Sequence, residues 1–276
     1  MDRDLAQRLG RETVSILREG TYTSPSGHPV DLRAALADSV AGTLEYRPGS
    51  PSEARRESKV ANTQISVENK TVLEVGRRMA ASGPVAALNF AAATGPGGGF
   101  LAGARAQEES IARSSGLFAC LDGREMYTYH RPQRDAMYSD WVIYSPSVPV
   151  FRTDAGELLD EPWTLSIVTC PAVNGLGLES YQPHRLHEVP AVMVKRTAKV
   201  LSVAAAHDVR RFILGAWGCG AFGLDPEMMA GVFHDALTGP FSGVFDEIVF
   251  AVLDWSPDQR FIGPFPAGFR VGHGRV

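Results

Sequence analysis

From residue 85 onward the chain alternates short apolar runs with helical patterns, and no other feature limits its fold so tightly. Val85–Phe90 is an apolar run of the kind a strand shows when both of its faces are buried. A helix follows at about 106–115, and Trp141–Tyr144 and Leu165–Cys170 read as further buried strands. Residues 187–207 carry the longest helical pattern, with Val194, Ala198, Leu201 and Ala205 on one face. Phe212–Trp217 reads as a strand, Pro226–Leu237 as a helix and Ile248–Leu253 as a strand. Such alternation predicts a three-layer α/β/α domain around a mixed, mainly parallel central sheet. The Pro-rich stretches at 145–149 and 181–190 read as loops inside that domain.

The N-terminal part has a different texture. Leu5, Leu9, Val14 and Leu17 recur at near-helical spacing over residues 2–18, and Gly20 marks the end. A second amphipathic segment covers about 30–42 before the turn-rich Tyr46–Pro51, and a third helix at 69–81 is closed by Ser82-Gly83-Pro84. No internal repeat or low-complexity linker separates these parts. The expectation is one domain over 1–276, with 1–60 as an N-terminal helical extension.

A chain of 276 residues with 44% hydrophobic content can bury a full core. Its formal net charge of −4 supplies no global field for nucleic acid, so a polyanionic ligand must be held by a local pocket. The sequence therefore predicts no sequence-specific nucleic-acid binding. Cys120, Cys170 and Cys219 are spaced neither as a zinc clip nor as a disulfide framework, which fits a reducing compartment. The opening Met1-Asp2-Arg3-Asp4 has acids where a signal peptide needs bases, and no segment is apolar for long enough to span a bilayer. A soluble, cytoplasmic protein without metal or cofactor is expected.

The chemistry concentrates at residues 95–109. Gly97, Gly98 and Gly99 have no side chains to hold a ligand off, so their N–H groups can approach an anion closely. After a gap of seven residues come Gln107, Glu108 and Glu109, with the two acids opening a helical pattern. An anion cradle beside paired carboxylates suits cleavage of a bond in a phosphate-bearing molecule. Gly218-Cys219-Gly220-Ala221-Phe222-Gly223, between a predicted strand and a predicted helix, is a second candidate phosphate turn. It satisfies the dinucleotide-binding fingerprint, but no acid ends the next strand about twenty residues on, and a Rossmann unit would leave the first cassette unexplained. Cys219 has no identifiable base and reads as a small residue in a tight loop.

These motifs carry a resemblance. Three glycines, a short gap and Gln-Glu-Glu resemble the signature of poly(ADP-ribose) glycohydrolases. Asp140–Phe151, Pro162-Trp163 and Gly215–Phe222 are similar to the compact bacterial type of that family. The resemblance runs from about residue 40 to 255 and implies a macrodomain fold. It implies that Glu109 is the catalytic acid and base and that Glu108 holds ribose hydroxyls. It further implies that Gly97–Gly99 and Gly218–Ala221 clamp the diphosphate, with Phe222 against the distal ribose and with Asn89 and Gln107 at the ligand. Ala92 departs from relatives, where a polar residue is common. The expected activity is exo-acting release of ADP-ribose from poly(ADP-ribose) or ADP-ribosylated protein by a monomer. The rivals are a mono-ADP-ribosyl hydrolase and a macrodomain that binds ADP-ribose without cutting, although a mere reader has no need of adjacent acids. Tyr127, Tyr129, Tyr138, Trp141 and Tyr144 are the aromatic candidates for stacking adenine.

Overall fold

The structure, a computed structural model, describes residues 1–50 and 60–265. Those parts of the expected domain at 51–59 and 266–276, including Pro51 of the N-terminal turn, lie outside the described residues. In chain order the elements are α1 (Arg3–Glu19), β1 (Thr21–Thr23), β2 (Pro29–Asp31), α2 (Arg33–Ala41), β3 (Leu44–Tyr46) and β4 (Gln64–Glu68). Next come α3 (Val72–Ala80), β5 (Ala86–Phe90), α4 (Gln107–Ser114), α5 (Leu117–Leu121), α6 (Glu125–His130) and β6 (Val142–Arg152). The chain continues through β7 (Leu158–Cys170), α7 (Gly175–Tyr181), α8 (Val189–Ala206), β8 (Arg211–Leu214), α9 (Pro226–Thr238) and β9 (Glu247–Ala251).

Seven strands form one sheet in the order β3-β6-β7-β5-β8-β9-β4. The pairs β7–β5, β5–β8, β8–β9 and β9–β4 are parallel, whereas β3–β6 and β6–β7 are antiparallel. The expected layered architecture with a mainly parallel mixed sheet is therefore present. Alternation along the central strands divides their side chains between two cores. Leu88, Phe212, Leu214, Ile248 and Phe250 face one core with Met193, Val200 and Phe233 of α8 and α9. Ala87, Ile213 and Val249 face the other with Val75 and Met79 of α3 and Ile111 of α4. Fully burying each such large apolar side chain contributes about 1.5–3 kcal/mol. Because β5, β8, β9 and β4 run parallel, the loops at their carboxyl ends gather on one edge, where open α/β sheets bind ligands.

Helix signals are read locally and well. Thr71 and Glu74 form a capping box on α3, and Asp225 caps α9 ahead of Pro226. Other expectations need correction. The stretch 145–149 is the middle of β6, not a loop, since the register shift between Ser145 and Val148 lets the strand carry Pro146 and Pro149. Residues 183–188 form a 3-10 helix. On α8 the buried face is Met193, Thr197, Val200 and Ala204, while Val194 is exposed. The N-terminal segment is not purely helical, because β1 and β2 form a hairpin and β3 joins the main sheet.

Candidate active site

A cavity of about 440 Å³ opens at the carboxyl edge of the sheet. One wall is the start of α4, from Arg105 to Ile111, and another is Ala216–Phe222 after β8. The cavity is completed by Lys70–Leu73 before and within α3, by Asp154, and by Val252, Leu253, Trp255 and Phe261 after β9.

Glu108 and Glu109 occupy the first turn of α4, and both are buried. Glu108 Oε2 accepts the Ala92 N–H at 2.7 Å, and the Gly97 N–H donates to the same carboxylate. Burial pushes Glu108 from its ordinary 4.5 to about 8, with the bond from Ala92 opposing the rise and the charge of Glu109 adding to it. At neutral pH Glu108 is therefore mainly protonated. Glu109 Oε1 accepts the Gly99 N–H at 2.9 Å, while its Oε2 is buried with no partner. The position of Ala92, a departure at the side-chain level, thus contributes through its backbone.

The glycine run does a different job from the one its composition suggests. Gly97 and Gly99 direct their N–H groups at the two glutamates, and the Gly98 N–H donates to Gly95 O at 3.1 Å. None of the three is among the residues lining the cavity, although Gly98 stands directly against the two carboxylates that do. Their lack of side chains serves the carboxylates: at Gly98, with φ +58, a Cβ would overlap Glu109 Oε1 and lie 2.8 Å from Glu108 Oε2. Within the expected anion cradle, the Gly99 N–H is taken up by the protein's own Glu109.

The second turn keeps its donors. The N–H groups of Gly218, Gly220, Ala221 and Phe222 make no hydrogen bond among the described residues, and all four residues line the cavity. Gly218 adopts φ +79 with Leu224 and Ala172 pressed against it, so only glycine fits there. This turn also ends at the start of α9, whose N-terminus favours negative charge. Cys219 is the exception. Its side chain is buried in the core, its Sγ lies 3.7 Å from Trp217 O, and its N–H donates to Ala216 O. Burial pushes its thiol up to about 12, which disfavours the thiolate that a nucleophile needs.

Two further expected contacts act from behind. Gln107 lines the cavity but spends its amide on the β5 backbone, donating to Leu88 O at 2.7 Å and accepting from Phe90 N at 2.9 Å. Asn89 is fully buried, off the cavity wall, with its Nδ2 3.3 Å from Thr169 Oγ1 and 3.5 Å from Glu108 Oε1. Both residues brace the acids against the end of β5. Among the described residues no group of three His, Cys, Asp or Glu is placed to hold a metal.

The candidates named for stacking adenine are absent from the cavity lining; the expected Phe222 lines it together with Phe90, Trp217, Trp255 and Phe261. Asp254 explains the last two. Its carboxylate accepts from Ser256 N and Ser256 Oγ through one oxygen and from Phe261 N and Ile262 N through the other. Those bonds fold 254–262 into a compact loop that presents Trp255 and Phe261. Nothing in residue spacing announces such a loop. Asp154, also missed, accepts from Thr71 Oγ1 at 2.6 Å, and burial raises its pKa.

Two expected outcomes follow. Glu108 binds its proton more tightly in the folded than in the unfolded chain. The stability this gives is full below about 4.5 and is lost as pH rises through about 8. Melting curves of Glu108→Gln should accordingly show a shallower decline between pH 5 and 8 than wild type, and parallel curves would refute the burial argument. Phe222 is half-buried against Tyr138, at 6.1 Å between ring centroids, and its carbonyl is anchored by Leu176 N–H at 3.0 Å. Phe222→Ala leaves the turn's backbone in place. It is expected to lower kcat by up to about 10²-fold through misplaced substrate, with about 1–2 kcal/mol lost in ADP-ribose binding. A drop in Tm with unchanged kcat per folded molecule would show a core role instead.

The comparisons with known proteins agree with this geometry. The model of the microbial-type PARG catalytic domain matches residues 10–153. A crystal structure of poly(ADP-ribose) glycohydrolase from Thermomonospora curvata superposes with a TM-score of 0.91 at 44% identity, covering 97% of this chain and 100% of that one. The same enzyme bound to the inhibitor ADP-HPD gives 0.89 at 44% identity, with 97% and 100% covered. Poly(ADP-ribose) glycohydrolase from Deinococcus radiodurans in complex with ADP-ribose gives 0.81 at 38% identity, over 85% of this chain and 97% of that one. No curated protein matches the chain. A family model spanning residues 10–153, and full-length structural relatives at such identity, place this chain in the microbial-type poly(ADP-ribose) glycohydrolase family.

Proposed function

We propose that the protein hydrolyses the ribose–ribose O-glycosidic bond of poly(ADP-ribose) from the chain end and releases ADP-ribose. One observation carries the reading: Glu109 has one oxygen held by Gly99 and the other buried and unpartnered beside a turn of unspent N–H groups. The turn at Gly218–Phe222 receives the diphosphate and fixes the terminal unit. Glu109 then protonates the leaving ribose oxygen as the sugar develops oxocarbenium character. As carboxylate it takes a proton from the water that attacks the anomeric carbon. Glu108, neutral near pH 7, hydrogen-bonds the ribose hydroxyls and spares Glu109 a second negative charge at close range. Trp255 and Phe261 offer aromatic faces to the adenine base.

In this reading the chain works as one catalytic domain and as a monomer, without cofactor, on polymer or on ADP-ribosylated protein. Its buried free cysteines suit a reducing cytoplasm, and among the described residues no helix is long and apolar enough to cross a membrane. The deciding experiment incubates the enzyme with automodified polymerase and separates the products. Mono-ADP-ribose from chain ends is expected. Oligomers alone would favour internal cleavage, bound but uncut polymer would favour a reader, and release only from mono-ADP-ribosylated acceptor would favour the narrower hydrolase.

A further inference from the structure

The acids sit on a segment, 97–113, whose own bonds hold them: Gly97 and Gly99 to the carboxylates, Gln107 to the end of β5. The far side of that segment rests on α1. Gly10 is buried where a Cβ would lie 2.8 Å from Phe100 O and 3.3 Å from Phe100 Cδ2. Phe100 follows Gly99 directly, and its buried ring packs on Phe118 at 5.1 Å between centroids. Arg3 Nε donates to Ala102 O at 3.1 Å, and Gly103, at φ +80, passes against the Arg3 backbone. At the other end of the segment, the fully buried Thr13 donates through Oγ1 to Arg113 O at 2.5 Å. Arg113 O belongs to the last turn of α4, where carbonyls have no partner within the helix. One helix thus holds both ends of the stretch that carries Glu108 and Glu109.

We infer that α1 is part of the catalytic apparatus, with Gly10 and Thr13 as positioning residues that set where the paired carboxylates stand. The inference rests on the glycohydrolase reading above. Gly10 fixes how near the 3-10 turn at Phe100–Ala102 can lie, and through Gly99 this fixes the Glu109 carboxylate. Thr13 fixes the opposite end of α4, so the helix cannot slide along its axis. The anion turn at Gly218–Phe222 lies on a different loop and is untouched by either residue.

The test compares Gly10→Val, Thr13→Val, Thr13→Ser and, as a control, Arg8→Ala, which lies exposed on the same helix. Gly10→Val and Thr13→Val are expected to lower kcat on polymer about ten- to a hundredfold, the scale of a displacement near 1 Å, while Kd for ADP-ribose moves less than about threefold. Thr13→Ser, which keeps the hydroxyl, should restore most of the rate, and Arg8→Ala should match wild type. Glycine-to-alanine at position 10 favours the helix itself but presses on Phe100 O, so Gly10→Ala should lose less Tm than Gly10→Val while kcat still falls. ¹⁵N–¹H spectra supply a readout apart from turnover: the Gly97 and Gly99 amide signals should move in both valine variants and stay in Thr13→Ser and Arg8→Ala. Unmoved glycine signals with unchanged kcat per folded molecule would overturn the inference, as would equal losses in Thr13→Ser and Thr13→Val. Wild-type enzyme that releases no ADP-ribose would instead overturn the glycohydrolase reading, leaving the spectra to decide the role of α1.

Discussion

Glu109→Gln is expected to lower kcat by at least about 10²–10⁴, the usual contribution of a positioned general acid and base, while ADP-ribose still binds. The amide preserves the shape of the side chain, and its oxygen can still accept from Gly99 N–H, so the glycine turn stays folded. In the proposed mechanism, what disappears is the carboxyl group that exchanges a proton with the leaving oxygen and with water. Calorimetry with ADP-ribose alongside polymer cleavage checks both halves. Measurable turnover near the wild-type rate would remove Glu109 from the mechanism, and loss of binding with loss of fold would make it structural.

Gly98→Ala is expected to abolish activity without touching any acid directly. Alanine in the left-handed region costs about 1–2 kcal/mol by itself. Here the added methyl would also overlap Glu109 Oε1 and crowd Glu108 Oε2, so the loop, the carboxylates or both must move. Each route breaks the Gly99 or Gly97 hydrogen bond that orients the pair. Gly123→Ala isolates the backbone part, since Gly123 has φ +76 with nothing within 4 Å of its Cβ position. The control should lose a few degrees of Tm, at about 2–4 °C per kcal/mol for a chain of this size, and keep full activity. Gly98→Ala should lose more Tm and at least about 10²-fold in kcat, as displacement of catalytic groups by an ångström does. Equal behaviour of the two variants would mean that the methyl is accommodated and the crowding argument fails.

Much of this molecule is written locally in its sequence. β5 reads correctly because a strand buried on both faces needs an unbroken apolar run, and α3 and α9 carry their own start signals in Thr71 and Asp225. The adjacent acids at 108 and 109 are legible because nothing in a folding argument asks for two buried carboxylates side by side. Other features depend on partners far along the chain. β6 contains Pro146 and Pro149, which argue against a strand until β7 supplies the register shift that accommodates them. On α1 the regular leucine spacing points to Leu5, Leu9, Val14 and Leu17, yet the fully buried positions are Ala6 and Thr13, with Gly10 between them. Close approach to the 99–103 turn selects small residues there, and hydrophobic periodicity is blind to that. Trp255 and Phe261 reach the cavity through a loop shaped by one carboxylate, Asp254. The glycine run shows the subtler limit: its composition announces an anion, and only the tertiary structure reveals that the Gly99 N–H meets the protein's own Glu109.

The strand order also sets a schedule for synthesis. β4, made early, sits at the edge of the sheet and pairs with β9, whose residues lie about 180 positions later. In the finished sheet β9 is the sole strand beside β4 and itself lies against β8, which pairs with β5. A chain leaving the ribosome therefore exposes the Gln64–Glu68 edge until nearly the whole length has emerged, and closure of the sheet is a late, long-range event of the kind that slows folding. Growing cells would meet this aggregation hazard during translation, and an arrested chain ending before residue 247 would hold Glu108 and Glu109 on an unfinished sheet.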